Sequence, residues 1–391
     1  MLVKVLCIAE YYLPGYLGGG PIRTLANMRF LLHTDIMIAI FTKDRDLGQD
    51  APYPGIAQER WLYPTEGPIY YAEPVMFHAG RVSKFCAEGD FDVLYLNSFF
   101  SFRASISVVL LGRISRRSLP PILLAPRGEF SLGALGIKSF KKRVYIGVAR
   151  FLGLYKDIRW HASTVCEKED ILRVFPEAKG RIYLAADPVS EFREHDISAQ
   201  FSPKTPGLLR ISFISRISPM KNLDGLLSIL RGVDRNISLS IYGPIEDGAY
   251  WQKCLEEVAE LPRNVRVEYK GPLAPDEVGS AFADSDLFVF PTHGENFGHV
   301  IFESLRAGTP VLISDRTPWN DSPCGAITVL PLDAVEKWRQ NLEIAVDRTE
   351  KQQAAMRLKS VERAKENMKM AETREDNLNM FRAVASGEDK F

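Results

Sequence analysis

The chain has 391 residues, of which 46% are hydrophobic and 25% are charged, as in an ordinary globular protein. Lys plus Arg and Asp plus Glu number 49 each, so the basic excess of a general nucleic-acid binder is absent and we expect no nucleic-acid partner. No apolar run approaches the ~20 residues of a membrane-spanning helix, and Met1–Ala9 predicts a first strand rather than a signal peptide. The five cysteines are scattered without a CxxC pair, which favours a reducing, cytoplasmic compartment.

Short apolar runs rich in β-branched residues alternate with longer helical stretches in both halves of the chain. The runs are continuously apolar, which is typical of parallel strands buried on both faces. This repetition predicts an α/β protein with two doubly wound, Rossmann-like parallel-sheet domains. The predicted strands of the first half lie near Val3–Ala9, Ile36–Thr42, Val93–Leu96, Ile122–Ala125, Ile158–Ala162 and Arg181–Leu184. Those of the second half lie near Leu209–Ile214, Ile237–Ile241, Val265–Tyr269, Leu287–Phe290, Val311–Ile313 and Ala326–Val329.

A polar stretch rich in proline and serine, residues 187–207, is the best candidate for a linker. It predicts an N-terminal domain over residues 1–190 and a C-terminal domain over residues 191–370, facing each other across a cleft. Residues 371–391 are expected to form a helix that packs back toward the N-terminal domain. Leu378, Phe381 and Val384 recur at three-residue spacing and form its narrow packing stripe.

The segment Pro291–Pro310 has the pattern of a site at the carboxyl end of a strand. A buried strand leads into a polar, glycine-containing loop and then an apolar helix, and ligands bind at such loops in open α/β sheets. Glu295 lies in the loop and Glu303 in the helix, where ribose or hexose hydroxyls would satisfy a carboxylate that is costly to bury alone. The alternative is a capping Glu295 and a salt-bridged Glu303. The loop amides that precede the helix and attract phosphate are those of Asn296, Phe297 and Gly298.

Two further loops follow predicted strands. Arg216 and Lys221 lie between a buried strand and a helix, where two cations suit a diphosphate, although both could be solvated surface residues. Gly18, Gly19 and Gly20 follow the first strand and would let the backbone approach a ligand, or form a mere flexible turn. The glycine loop matches neither GxGxxG nor a Walker motif.

Taken together, these motifs resemble the retaining, nucleotide-sugar-dependent glycosyltransferases of family 4, the glycosyl transferases group 1, which have the GT-B fold. The resemblance covers nearly the whole chain, and its most specific part is the E-x7-E motif of Glu295 and Glu303 with its PTHGENFG lead. The other motifs that carry it are GGGPIR at 18–23, SRISPMKN at 215–222, APRGEF at 125–130 and HASTVCEKE at 161–169.

The resemblance implies a role for each matching residue. Arg216 and Lys221 would bind the diphosphate and stabilise the departing nucleotide, while Glu295 would hold the transferred sugar and Glu303 the ribose. Gly271, in YKGPL, would lie near the base. The remaining donor-binding positions would be Gly19, Gly20, Asn296, Phe297 and Gly298. The implied reaction moves a sugar to a glycan or lipid-linked acceptor with retention, in cell-surface polysaccharide or lipopolysaccharide biosynthesis, with no metal and no cofactor beyond the donor.

One position departs from the family pattern. Where many relatives carry a histidine, this chain has Arg127, which stays protonated near neutral pH but can bind sugar hydroxyls or phosphate. We count Arg127 among the candidate catalytic residues. The alternatives are a nucleotide-sugar epimerase on the same fold and a non-catalytic, nucleotide-binding partner of a glycan-assembly complex. Two DxD sequences, at 44–46 and 284–286, are expected to be structural.

The stretch Phe140–Arg159 mixes basic and apolar residues. Such a pattern suits an amphipathic helix in peripheral contact with an anionic membrane, at the inner face of the cell membrane. It also suits an ordinary surface helix with an apolar inner face, which the sequence alone favours.

Overall fold

The computed structural model describes residues 2–114, 119–137, 139–190 and 201–387. The chain divides into two compact units, which we call the first unit (Met1–Ser190 with Lys369–Phe391) and the second unit (Glu191–Met368). Within the described ranges, no helix is both long and apolar enough to cross a membrane.

The first unit is built on a sheet of eight strands in the order β3-β4-β2-β1-β5-β6-β7-β8. All pairings are parallel except that of β3 with β4. The strands are β1 (Val3–Ile8), β2 (Ile36–Lys43), β3 (Trp61–Leu62), β4 (Ile69–Ala72), β5 (Val93–Asn97), β6 (Ile122–Ala125), β7 (Arg159–Ala162) and β8 (Ile182–Leu184). The helices are α1 (Gly20–Leu32), α2 (Ala79–Glu88), α3 (Ser107–Ile114), α4 (Leu132–Gly136), α5 (Ser139–Phe151) and α6 (Val165–Val174). Short π-helical and 3-10 turns lie at Phe102–Ile106 and Pro176–Ala178.

The second unit has a six-stranded, fully parallel sheet in the order β11-β10-β9-β12-β13-β14. Its strands are β9 (Leu208–Ile214), β10 (Asn236–Tyr242), β11 (Val265–Gly271), β12 (Leu287–Phe290), β13 (Val311–Ser314) and β14 (Ile327–Leu330). Its helices are α7 (Leu223–Leu230), α8 (Gly248–Ala259), α9 (Val278–Ala283), α10 (His299–Arg306), α11 (Val335–Val346) and α12 (Glu350–Asn367), with a 3-10 turn at Pro219–Lys221.

Each sheet contains a point where the direction of strand addition reverses. In the second unit, β10 and β11 extend the sheet from one side of β9, while β12, β13 and β14 extend it from the other. In the first unit the reversal lies between β1 and β5. The loops after the flanking strands diverge at such a point, which leaves room for a ligand at the carboxyl edge of the sheet.

The two-sheet α/β prediction is confirmed, and all twelve predicted strands are present. Strands β3 and β4 were not predicted, because a two-residue strand has no periodic pattern and IYYA at 69–72 is short. The last helix, α13 (Met370–Ser386), belongs to the first unit, where Leu378, Phe381 and Val384 are buried in the same apolar cluster as α1 and β1.

Candidate functional site

Lys221 lies in the loop after β9, at the reversal point of the sheet of the second unit. Lys221 ends the 3-10 turn, and Asn222 follows in the left-handed conformation (φ 59°, ψ 44°), which asparagine tolerates better than most residues. The Asn222 Nδ2 donates to the carbonyl of Pro291 at 2.7 Å. This bond joins the loop after β9 to the loop after the neighbouring strand β12.

Lys221 and Glu295 meet between these two loops. The Lys221 Nζ forms a direct ion pair with the Glu295 Oε1, and the side chains are only 11% and 15% exposed. The ammonium also lies 5.5 Å from the centroid of the Phe290 ring, at the end of β12. Two residues that the sequence singled out in separate motifs are therefore in contact.

The loop after β12 is held by the segment that follows β13. The Ser314 Oγ donates to the carbonyl of Thr292 at 2.6 Å, and the Glu295 amide donates to the carbonyl of Arg316 at 3.0 Å. The Trp319 Nε1 donates to the carbonyl of Phe297 at 2.7 Å. The centroids of the Phe297 and Trp319 rings are 6.1 Å apart. Sequence reasoning missed these supporting residues, because they bond mainly to main-chain carbonyls and match no motif.

The same loop leads into the N-terminus of α10. Gly298 is left-handed (φ 79°, ψ 54°), and its carbonyl accepts from the amide of Ile301 at 2.9 Å. Within the described residues, no backbone carbonyl accepts from the amides of Asn296, Phe297 or Gly298. Donors at a helix N-terminus favour an anion. Glu303 lies further along α10 and is half-buried.

Arg216 lies at the start of the loop that ends at Lys221. Its Nη1 pairs with the Glu246 Oε1 at 2.9 Å, and both side chains are about one-third exposed (35% and 39%). Sequence reasoning missed Glu246, which follows β10.

Gly243 allows this loop to lie against the end of β10. A Cβ on Gly243 would stand 1.8 Å from the carbonyl oxygen of Ser215, and the residue has φ +133°. The Gly243 amide donates to the carbonyl of Gly271 at 2.9 Å, and the Tyr269 hydroxyl donates to the carbonyl of Gly243 at 2.8 Å. Gly271, predicted to lie near the base, is thus joined to the Arg216 loop through Gly243.

The glycine loop of the first unit follows β1, at that unit's own reversal point. Gly19 has φ 79° and ψ −147°, a conformation open essentially only to glycine, and Gly20 begins α1. The Asp46 Oδ2 accepts from the amides of Tyr16 and Leu17 at 2.7 and 3.0 Å, so the start of the loop is anchored. Donor binding by Gly19 and Gly20 stays a prediction.

Arg127 lies in a buried network of the first unit. Its Nη1 pairs with the Asp187 Oδ1 at 2.5 Å, its Nε donates to the Asn97 Oδ1 at 3.1 Å, and its Nη2 donates to the Tyr95 hydroxyl at 2.7 Å. The Arg127 and Asp187 side chains are 6% and 3% exposed. Burial lowers the pKa of Arg127, but Asp187, Tyr95 and Glu167 together outweigh burial and raise the pKa above its ordinary value. These contacts hold the Arg127 side chain beside Asp187, and its part in catalysis stays a prediction.

His161 belongs to the same network. Its Nδ1 lies 2.6 Å from the Tyr95 hydroxyl and its Nε2 lies 2.8 Å from the carbonyl of Ala185. Burial, together with the positive charge of Arg127, lowers the pKa of His161 to about 4. The imidazole is therefore neutral at pH 7. Glu129, next to Arg127 in sequence, is likewise turned inward, accepting from the Ser98 hydroxyl and the Phe99 and Phe100 amides.

In the part of the chain that the structure describes, no group of three or more His, Cys, Asp or Glu side chains is placed to hold a metal ion. An aspartate of each DxD sequence bonds to other residues of the protein. Asp46 anchors the glycine loop, and Asp286 is fully buried with the Arg210 guanidinium at 2.7 Å.

Residues 196–322 match the family model described as "Glycosyl transferases group 1". This part of the chain therefore resembles a group 1 glycosyl transferase domain, and we call it the group 1 domain. It contains Arg216, Lys221, Glu295 and Glu303, and the Lys221–Glu295 contact lies within it.

The curated relatives also match only part of the chain. A D-inositol 3-phosphate glycosyltransferase of Rhodococcus erythropolis is 32% identical over 117 residues, which is 28% of this chain and 26% of that protein. The sulfoquinovosyl transferase SQD2 of Arabidopsis thaliana is 27% identical over 31% of this chain and 22% of its own length. The matches thus span about a quarter of these relatives' lengths.

Solved structures resemble nearly the whole chain. A sucrose-phosphate synthase from Thermosynechococcus elongatus superposes with a TM-score of 0.73 at 12% identity, covering 99% of this chain and 100% of its own. HepE from Anabaena, solved in complex with UDP and glucose, superposes with a TM-score of 0.69 at 14% identity, covering 97% and 100%. At such identities the likeness establishes the fold alone, and that fold is GT-B.

Proposed function

We propose that the protein is a retaining glycosyltransferase that moves a sugar from a nucleoside-diphosphate sugar to a glycan or lipid-linked acceptor, in cell-surface polysaccharide or lipopolysaccharide biosynthesis. The observation that carries the proposal is the contact between Lys221 and Glu295 at the reversal point of the group 1 domain. A cation and a carboxylate at this edge of the sheet suit the two ends of an activated sugar, its diphosphate and its hydroxyl groups.

The diphosphate would lie against Lys221, Arg216 and the amides that precede α10. Negative charge grows on the leaving phosphate oxygen as the glycosidic bond breaks, so fixed cations and amides stabilise the transition state more than the ground state. Lys221 is held for this task by the neighbouring Asn222 and by Glu295. No other cofactor enters the proposal.

Glu295 would accept hydrogen bonds from hydroxyls of the transferred sugar, and Glu303 from those of the ribose. Hydrogen bonds to a carboxylate are stronger than neutral ones, and they orient the sugar toward the acceptor. The acceptor would attack from the face that the nucleotide leaves, which gives retention without a protein nucleophile. The base would lie near Gly271, where the rings of Trp251 and Tyr269 are 4.8 Å apart.

A thermal-shift panel of nucleoside diphosphates and their sugars tests the donor half of the proposal. A ligand at 100 times its Kd adds about 2.7 kcal/mol to stability, which raises the Tm of a unit of this size by roughly 5–10 °C. We expect one nucleoside diphosphate and its sugar to give such a shift. A flat panel would contradict nucleotide-sugar binding.

The stabilising sugar nucleotide is then incubated with and without glycan and lipid-linked acceptors, and the anomeric signals are followed by NMR. We expect product only with an acceptor, with the anomeric configuration of the donor. Conversion of the donor without acceptor would favour an epimerase. Binding without transfer across the screen would favour a non-catalytic partner, and an inverted product would contradict retention.

A further inference from the structure

Helix α5 presents apolar side chains on two opposite faces. Tyr145 and Ile146 pack against the aromatic core of the first unit, and Ala149 is buried there. A surface helix ordinarily has polar residues on its other face. The outer face of α5 instead carries four apolar residues, which we call the outer stripe: Phe140, Val144, Val148 and Phe151.

The outer stripe is a continuous, exposed line. Its members follow one another at spacings of four, four and three residues, which places them on one side of a helix. They are 79%, 50%, 51% and 90% exposed in chain order. The core of the first unit does not account for them, because the helix already buries its other face.

Two more exposed apolar side chains flank α5 in sequence. Leu132 of α4 and Leu152, which follows α5, are 68% and 59% exposed. The Lys142 Nζ donates to the carbonyl of Ala134 at 2.6 Å and thereby ties α4 to α5. Contiguous exposed apolar patches are uncommon on soluble proteins and mark interaction sites.

Basic side chains lie on both sides of the outer stripe. Exposed Lys141 lies on one side of the helix and exposed Arg143 and Arg150 on the other. Among the residues that the structure describes, only Arg150 of these three pairs with a carboxylate, the Glu177 Oε1 at 3.8 Å. The sequence from 130 to 156 contains six Lys and Arg and neither Asp nor Glu, in a chain whose charges balance overall. The positive charge is therefore concentrated where the apolar surface is.

We propose that the outer stripe and its flanking basic residues form a docking surface for an anionic lipid bilayer. A helix lying in the membrane plane buries its apolar side chains below the headgroups, while lysine and arginine on its flanks reach the headgroup phosphates. The arrangement of α5 meets both requirements at once, and the acid-free sequence complements an anionic surface. The inference concerns a surface of the first unit and does not depend on the sugar-transfer proposal.

Vesicle flotation with the full chain tests the proposal. Vesicles of phosphatidylcholine alone are compared with vesicles in which about a third of the lipid is phosphatidylglycerol. Each basic residue near an anionic surface strengthens binding roughly fivefold, so Lys141→Gln/Arg143→Gln should lower the partition coefficient roughly 25-fold. Phe140→Ser/Phe151→Ser should lower it by at least roughly tenfold, because two buried aromatic side chains are lost. High salt should weaken binding of the wild type.

Matched controls come from α12 of the second unit. Lys351→Gln/Lys359→Gln removes the same charge from exposed positions, and Leu358→Ser removes an apolar side chain that is 63% exposed. These variants should float as the wild type does, and circular dichroism should show all variants folded.

Four results would overturn the proposal: no flotation with anionic vesicles, equal flotation with neutral ones, flotation that the α5 variants leave unchanged, or equal losses in the α12 controls. A dimer in sedimentation that Phe140→Ser/Phe151→Ser dissociates, without vesicle binding by the wild type, would assign the outer stripe to a second copy of the chain instead.

Discussion

The ion pair between Lys221 and Glu295 permits a test in which its two partners should respond in opposite ways. If the pair serves only stability, neutralising either residue should have the same effect. If Lys221 binds the diphosphate and Glu295 the sugar, Lys221→Gln should weaken nucleotide binding and Glu295→Gln should not. Each substitution retains a hydrogen-bonding side chain of similar length.

The magnitudes follow from the exposure of the pair. At 11% and 15% exposure, the pair lies between a surface salt bridge, worth about 0–1 kcal/mol, and a buried one, whose disruption costs about 3–5 kcal/mol. Either single substitution should therefore lower the free energy of unfolding by about 2 kcal/mol. Hydrogen bonds to a charged group contribute about 1.5–3 kcal/mol, so Lys221→Gln should raise the Kd for the nucleoside diphosphate roughly 10- to 100-fold.

Glu295→Gln should leave that Kd unchanged or lower it slightly, because the carboxylate that competes with phosphate for Lys221 is gone. Its kcat should fall by roughly 100-fold, since the charged hydrogen bonds to the sugar are lost. Calorimetric titration gives the Kd, chemical denaturation the stability, and initial rates the kcat. Lys253→Gln breaks the more exposed pair with Asp224 in the same unit and should change neither binding nor kcat. Equal losses of binding in the two single variants would refute the reasoning.

Three further predictions concern structural residues around the candidate sites. Arg127→Gln should lower the free energy of unfolding by about 3–5 kcal/mol in chemical denaturation, because it removes the guanidinium that pairs with the buried Asp187 carboxylate, and Asp187→Asn in the same chain should restore part of the loss. Gly243→Ala should cost at least about 2 kcal/mol in the same assay, because its Cβ would overlap the carbonyl oxygen of Ser215. The pKa of His161 is near 4 in the folded chain and 6.5 in the unfolded one, so the unfolded chain binds more protons in between and stability falls by about 2 kcal/mol from pH 7.5 to pH 5.0. His161→Gln keeps one donor and one acceptor and should remove this part of the pH dependence.

Each of these predictions has a contradicting result. A double variant no more stable than Arg127→Gln would show that Asp187 does not need a counter-charge. Wild-type stability in Gly243→Ala would show that the loop can move away from the added methyl group. A pH profile of His161→Gln parallel to that of the wild type would assign the acid sensitivity to other groups, such as the buried Glu167, whose pKa burial raises.

The elements of the fold could be predicted from the sequence because each is a local pattern. Continuous apolar runs such as LFVF at 287–290 become strands that are buried on both faces. The stripe of Leu378, Phe381 and Val384 indicated a packed helix in the same way. The partners of Arg127 follow from no such pattern, since Asn97 and Asp187 lie 30 and 60 residues away in sequence.

The strand order of the second unit explains why the sequence patterns identify Lys221 and Glu295 separately but do not show that the two side chains are in contact. Lys221 and Glu295 are 74 residues apart, and each motif indicates only a strand, a loop and a helix. They meet because β12 returns to pair with β9 on the side opposite β10, so their loops leave the same edge of the sheet as neighbours. Had β12 been added beyond β11, the same residues would lie on loops separated by two strands. The ion pair therefore depends on the topology of the second unit, which the local patterns do not contain; only the family resemblance assigned Lys221 and Glu295 to one donor.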